Sequence, residues 1–179
     1  MFLFMMPLLT LSTVRAQETP PSEYQLKAAF LYNFAKFIDW PPSTFSSSQA
    51  PFAICILGTD PFGMAIDETL RGKTVADHPV VVRRARDVSE VRRCQIVFVS
   101  SQEKQPVSGI LDALQGQNVL IVGEADHFAD SGGTIQLFIE GGHIRFAINT
   151  VAAENAGLHI SSKLLALAKI VRGPENGKN

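Results

Sequence analysis

The sequence predicts one α/β domain in three layers: a mixed, mostly parallel sheet with helices on both faces, finished by a C-terminal β-hairpin and a helix. Three observations lead there. Short apolar runs without alternation, such as Phe52-Ala-Ile-Cys-Ile-Leu57, read as strands covered on both faces. Stretches with helical spacing separate these runs, as crossovers between parallel strands require. Near the end, Thr134–Ile139 and His143–Ile148 alternate around Glu140-Gly-Gly142, a hairpin signal. At 179 residues the chain is long enough for one sizeable core. A formal net charge of −1 offers no overall attraction to nucleic acid or acidic lipid.

The chain opens with an apolar run, Met1 to Leu11, followed by Val14-Arg15-Ala16, small residues where a signal peptidase reads. Residues 1–16 are therefore expected to be a secretory signal cut after Ala16, which directs the protein to export. No Lys or Arg precedes the run, which leaves room for a start upstream of Met1. Residues 17–173 make the domain. A helix begins at Ser22 with Gln25 as a capping box and runs to the stop at Trp40-Pro41-Pro42. Its Phe30, Phe34 and Phe37 stripe is read as a lid on one face of the sheet. Lys27, Tyr32, Lys36 and Asp39 are then left on the outer face, with Tyr32 and Lys36 as candidate partner contacts.

After a Ser-rich loop comes the strand at Phe52–Leu57, then Gly58-Thr-Asp-Pro-Phe-Gly63, with Asp60 as N-cap and Pro61 at the first helical position. The helix carries Met64 to Leu70 and stops at Gly72. Strands follow at Val80–Val82 and Ile96–Ser100, a helix at Ile110–Leu114 and a strand at Val119–Val122. Beyond the hairpin, Ser161 to Val171 reads as a Leu-rich helix ended by Arg172-Gly173-Pro174, and 174–179 as a disordered tail.

Export would let the two cysteines, Cys55 and Cys94, mature where a disulfide persists; two buried free thiols are the alternative. In a doubly wound strand order of 2-1-3, Cys55 sits beside the strand that Cys94 precedes, within bridging reach. The Gly58 to Gly63 loop lies where doubly wound folds bind phosphates, which makes Gly58, Thr59, Asp60 and Gly63 candidates for a small anionic metabolite or nucleotide. It lacks both the P-loop ending and the GxGxxG fingerprint, so turn formation and helix capping compete with that reading. His78, His127, His143 and His159 are scattered without metal-ligand spacing, and no GxSxG elbow is present. No catalytic set, metal or cofactor is therefore expected. Arg71, Arg83, Arg84, Arg86, Arg92 and Arg93 are diluted by Asp87 and Glu90, which suits a solvated face or an acidic partner better than nucleic acid. Arg145, Asn149, Ser161 and Lys163 are polar residues inside apolar runs, marking either contacts or satisfied buried hydrogen bonds.

Three motifs in order carry a family resemblance: Tyr24 through Phe37 with Trp40-Pro41, Gly58-Thr-Asp-Pro-Phe-Gly63, and Gly132-Gly133 through Ile144–Asn149 to Ala156–Leu165. Together they resemble the YfiR/HmsC family, over nearly the whole mature chain. The resemblance implies a periplasmic regulator and not an enzyme. It would bind and repress the periplasmic sensor domain of an inner-membrane diguanylate cyclase, lowering cyclic di-GMP and biofilm formation. An OmpA-like outer-membrane lipoprotein would sequester the repressor. The resemblance further implies a homodimer and places Cys55 and Cys94 where one family disulfide lies; a second bridge of some relatives has no counterpart here.

Overall fold

The computed structural model describes residues 21–173, so the leader cut after Ala16 and the tail at 174–179 lie outside the described residues. Helix α1 spans Glu23–Lys36 behind the expected capping box: the Ser22 hydroxyl accepts from Gln25 N, and the Gln25 side chain accepts from Ser22 N. It ends earlier than the Trp40-Pro41 stop suggests. The Phe37 N–H bonds back to Asn33 and Phe34, and Trp40 Nε1 donates to Ala35 O at 2.8 Å, covering a last-turn carbonyl. The chain then forms β1 (Ile38–Asp39).

Next come β2 (Phe52–Leu57), α2 (Met64–Leu70), β3 (Thr74–Val75) and β4 (His78–Ala85). They are followed by β5 (Ile96–Val99), α3 (Val107–Leu114), β6 (Leu120–Gly123), β7 (Ile135–Glu140) and β8 (His143–Asn149). The chain closes through α4 (Thr150–Asn155), β9 (His159–Ile160), α5 (Ser162–Leu165) and β10 (Lys169–Val171). Eight strands share one sheet in the order β10-β8-β7-β6-β5-β2-β4-β3, and β1 pairs with β9 in a separate two-stranded ladder. β4, β2, β5, β6 and β7 are parallel neighbours, β7 and β8 form the antiparallel hairpin, and β3 folds back on β4. The order β4-β2-β5 is the doubly wound 2-1-3 arrangement. It brings Cys55 and Cys94 to a Cα separation of 6.0 Å, where they are disulfide-bonded.

Alternating residues of the buried strands feed two cores, which makes the domain three-layered. Phe52, Ile54, Ile56, Phe98 and Leu137 pack under α1 and α2, while Ala53, Cys55, Leu57, Val97 and Ile121 pack against α3 and the Cys94 turn. In the second core the Phe128 ring lies flat against Gly123 and Gly133, and a Cβ at either glycine would collide with it.

Besides the earlier end of α1, two expectations change. The buried stripe of α1 is Lys27, Ala28, Leu31, Phe34 and Ala35, not the three phenylalanines. Phe30 flanks it, stacking toward Phe34 and Phe146, whereas Phe37 falls past the helix end and is 37% exposed. The Leu-rich closing helix is four residues long, and Lys169–Val171 instead forms a parallel strand on β8. β8 otherwise has an open edge, and β-branched Ile170 and Val171 suit it better than another helical turn.

Candidate functional site

Helix α1 runs antiparallel to the central strands, so its two ends reach opposite ends of the sheet. At the carboxyl ends, Lys27 is buried beneath the first turns of α1 with its side chain 6% exposed, against 5% for Glu124 just after β6. Lys27 Nζ lies 2.6 Å from both Glu124 Oε2 and Glu23 Oε1. Ser101 donates to Glu124 Oε1 through its backbone N–H and its hydroxyl, each at 3.3 Å, and the Tyr24 hydroxyl donates at 3.4 Å. Burial pulls the Lys27 pKa down, but the bonds to Glu124 and Glu23 outweigh it and leave the ammonium above its ordinary range. Burial and the Glu124 charge both push Tyr24 up. The group is a charged tether from α1 to β5 and β6, with every strong donor committed internally. Lys27 thereby leaves the outer face that the helical pattern assigned to it.

Beside it lies the Gly58 to Gly63 loop, where the N–H groups of Gly58, Phe62 and Gly63 are committed. Gly58 sits at φ +80° and donates to Ala85 O at 2.9 Å. The Asp60 carboxylate accepts from Phe62 N at 2.7 Å and Gly63 N at 3.3 Å, so Asp60 closes the turn while Gly63 takes the N-cap position expected for Asp60. Arg84 binds Asp60 Oδ2 at 2.9 Å, Gly63 O at 2.8 Å and the Asp67 carboxylate. Those hydrogen bonds, and the guanidinium charge behind them, hold Asp67 below the usual carboxylate range. Glu103 lies directly over Gly58, where it would collide with any Cβ. The chain's own carboxylates thus occupy the place of an anion at this switch point; of the four candidates Thr59 and Gly63 are exposed, and Gly58 and Asp60 are half-buried.

At the amino ends the picture opens. The Tyr32 ring is held between two ammonium groups, Lys36 Nζ at 5.5 Å and Lys73 Nζ at 5.0 Å from its centroid, and its hydroxyl donates to Thr74 O at 3.1 Å. Thr74 O belongs to the outermost strand of the sheet, so Tyr32 also covers an edge carbonyl. Next to it, Ala35, Lys36, Ile38, Trp40 and Val75 line a groove of about 440 Å³ between α1, β1 and the β3–β4 turn. Ile38 and Val75 give it an apolar floor, and its lip carries both Lys36 and the exposed Asp39, with Lys73 adding a second ammonium beside Tyr32.

The remaining candidates divide. Lys163 is exposed on α5, immediately after the β9 strand that pairs with β1, and so belongs to the same end as Tyr32 and Lys36. Arg145 is exposed near the tip of the β7–β8 hairpin, opposite Phe138 and away from that end. Asn149 is 2% exposed: its Oδ1 caps α4 through Ala152 N, and its Nδ2 donates to Ala129 O at 2.9 Å. It is a satisfied buried amide and leaves the contact set. Lys73 joins Tyr32 only through the β3–β4 fold-back, which no local pattern announced.

The fold is that of a three-layer α/β domain of the doubly wound kind. The chain belongs to the YfiR/HmsC-like family, whose description matches residues 24–169. In general terms that family consists of periplasmic regulators of cyclic di-GMP signalling and not of enzymes. Among the described residues no helix is long and apolar enough to cross a membrane. Among solved structures, a conserved domain protein from Vibrio cholerae O1 biovar El Tor is similar at a TM-score of 0.53 and 12% identity, over 83% of this chain and 60% of that one. The ABC domain in complex with L-Trp from Streptococcus pneumonia is similar at 0.51 and 13%, with the same coverages. The chain thus spans three fifths of either structure, and identities this low speak for the fold alone. Comparison with curated proteins returns no match.

Proposed function

We propose that this chain is a periplasmic repressor that binds the periplasmic sensor domain of an inner-membrane diguanylate cyclase through the amino-end face around Tyr32, Lys36 and Lys73. One observation carries the surface: the clamped Tyr32, its two ammonium groups and the adjoining groove are the only place among the candidates where aromatic, apolar and cationic groups meet in the open. An acidic and apolar segment of the sensor domain complements it. Held there, the sensor domain keeps its cytoplasmic cyclase inactive, and an OmpA-like outer-membrane lipoprotein relieves it by sequestering the repressor. The protein acts as a homodimer after loss of residues 1–16. A small anionic ligand at the Gly58 loop has less support, because Asp60 and Glu103 fill that end.

The test is a charge reversal, Lys36→Glu with Lys73→Glu, which leaves the buried cores untouched. Binding to the periplasmic domain of a co-encoded cyclase, measured by biolayer interferometry, should weaken by more than about tenfold, and cellular cyclic di-GMP should rise. Unchanged affinity in a folded double variant overturns the assigned face. No binding by the wild-type chain to any co-encoded cyclase overturns the reading as a whole.

A further inference from the structure

A second polar hollow lies at the amino ends of the strands, on the disulfide side of the sheet and apart from the Tyr32 face. It has a volume of about 210 Å³, and Ser43, Thr44, Arg92, Arg93, Gln95 and Asn118 contribute to its wall. That volume is below the roughly 300 Å³ typical of pockets for drug-sized ligands, and well above the roughly 30 Å³ of one water. A small ion with some hydration fits it.

Three features of the wall favour an anion. Arg92 and Arg93 are both exposed, and among the described residues neither has a salt-bridge partner. The carboxylates nearest in sequence face away: Asp87 accepts from Ser89, and Glu90 accepts from the N–H groups of Arg86 and Asp87. Among the described residues no carboxylate lines the hollow. The Thr44 hydroxyl, finally, is the one buried side-chain polar atom without a hydrogen-bond partner among the described residues. A buried hydroxyl without an acceptor is costly, and a turn of the Thr44 side chain toward the hollow would give it an anion oxygen as acceptor.

The wall is also preorganised. Cys94 follows Arg93 directly and is tied to Cys55 in β2. Gln95 is 3% exposed and bridges the structure behind Thr44, accepting from Ala53 N at 2.6 Å and donating to Thr44 O at 3.2 Å. Asn118 Nδ2 is held by Ala156 O at 2.9 Å. The backbone carrying both guanidinium groups and the hydroxyl is thus fixed before any ligand arrives, which lowers the ordering cost of binding.

We infer that this hollow is a binding site for a small oxyanion of phosphate type, gripped by the forked donors of Arg92 and Arg93 and completed by the hydroxyls of Thr44 and Ser43. Guanidinium forks match the spacing of phosphate oxygens and prefer them to a spherical anion. The site is independent of the groove proposed for the cyclase and does not rest on that proposal.

The experiment titrates the folded chain with sodium phosphate at constant ionic strength, chloride making up the difference, and follows amide and arginine side-chain NMR signals together with the melting temperature. Saturable shifts should centre on residues 43–44, 92–95 and 117–119, with a melting temperature that climbs as binding saturates. Arg92→Gln with Arg93→Gln should lower the affinity by at least about tenfold. Thr44→Val should weaken phosphate binding while raising the melting temperature of the protein without phosphate, because the orphaned hydroxyl is gone. Arg93→Lys, which keeps the charge and loses the fork, should fall between the double variant and wild type. The inference is overturned if phosphate produces no saturable change, if chloride produces the same shifts, or if the Arg92 and Arg93 double variant binds like wild type. Thr44→Val binding phosphate as tightly as wild type would equally remove the hydroxyl from the site.

Discussion

Truncating Phe34 to alanine tests which face of α1 holds the domain together. Phe34 is fully buried and packs edge-on against Phe146 at 5.1 Å between ring centroids and at a tilt against Phe30 at 5.9 Å. Removing a ring from such a site loses its transfer free energy and leaves a cavity that the sheet beneath cannot collapse into, about 3–5 kcal/mol. For a domain of this size each kcal/mol corresponds to about 2–4 °C, so the melting temperature should fall by roughly 6–20 °C. Phe37→Ala is the internal comparison. That side chain is 37% exposed beyond the helix end, and its loss should cost about 1–2 kcal/mol. Urea titration followed by the fluorescence of Trp40, the lone tryptophan and packed on Phe52 at 5.1 Å, reads both variants on one scale. An equal or reversed order of the two costs would refute the assignment of the buried stripe, as would a Phe34→Ala cost under about 1 kcal/mol.

Further predictions follow from the polar constellations. Lys27→Met strands the Glu124 carboxylate in the interior and should cost about 3–5 kcal/mol, whereas adding Glu124→Gln should return a measurable part of it in a denaturation cycle. Because its carboxylate partners raise the Lys27 pKa, the stability it contributes is full below the ordinary lysine range and is lost as the pH climbs through the raised value. Asp67 behaves oppositely: its lowered pKa adds stability above the ordinary carboxylate range, lost as the pH falls through the lower folded value. Asp67→Asn should therefore flatten the acid limb of a stability profile slightly, the pair being partly exposed. Replacing both Cys55 and Cys94 by alanine opens a loop with a sequence separation of 39 and should cost about 4 kcal/mol on the chain-entropy account, read as a drop in the urea midpoint.

Much of the fold was legible in the chain because buried parallel strands leave unbroken apolar runs and hairpins leave alternation around glycine. Phe52–Leu57, Val119–Val122 and the pair around Gly141-Gly142 all became strands where those patterns placed them. Two places misled. A leucine-rich, lysine-containing stretch at 161–171 favours helix locally, yet the open edge of β8 recruited its last three residues as β10. In α1 the aromatic spacing predicted a stripe of which Phe34 is buried, Phe30 flanks the core and Phe37 falls outside, since a periodic pattern gives spacing but not which arc meets the sheet, and Lys27 could be buried only because Glu124 waits for it 97 residues away.

The candidate site divides along the same line. The capping box of α1, the cysteine pair in an order of strands that brings it together, and the three motifs of the YfiR/HmsC-like family are local or ordered features, and the sequence by itself determined them. Which polar residues meet was decided by tertiary structure alone. Tyr32 finds Lys73 through the fold-back of β3, Asn149 turns inward to cap α4, and Arg145 is carried to a hairpin tip away from Lys36. Thr44 meets Arg92 and Arg93 only because the disulfide and Gln95 fix their loops against each other. The physical reason is common to all of these. Local backbone preferences act over a few residues, whereas burial, ion pairing and hydrogen-bond satisfaction are settled between segments that the sheet order alone brings into contact.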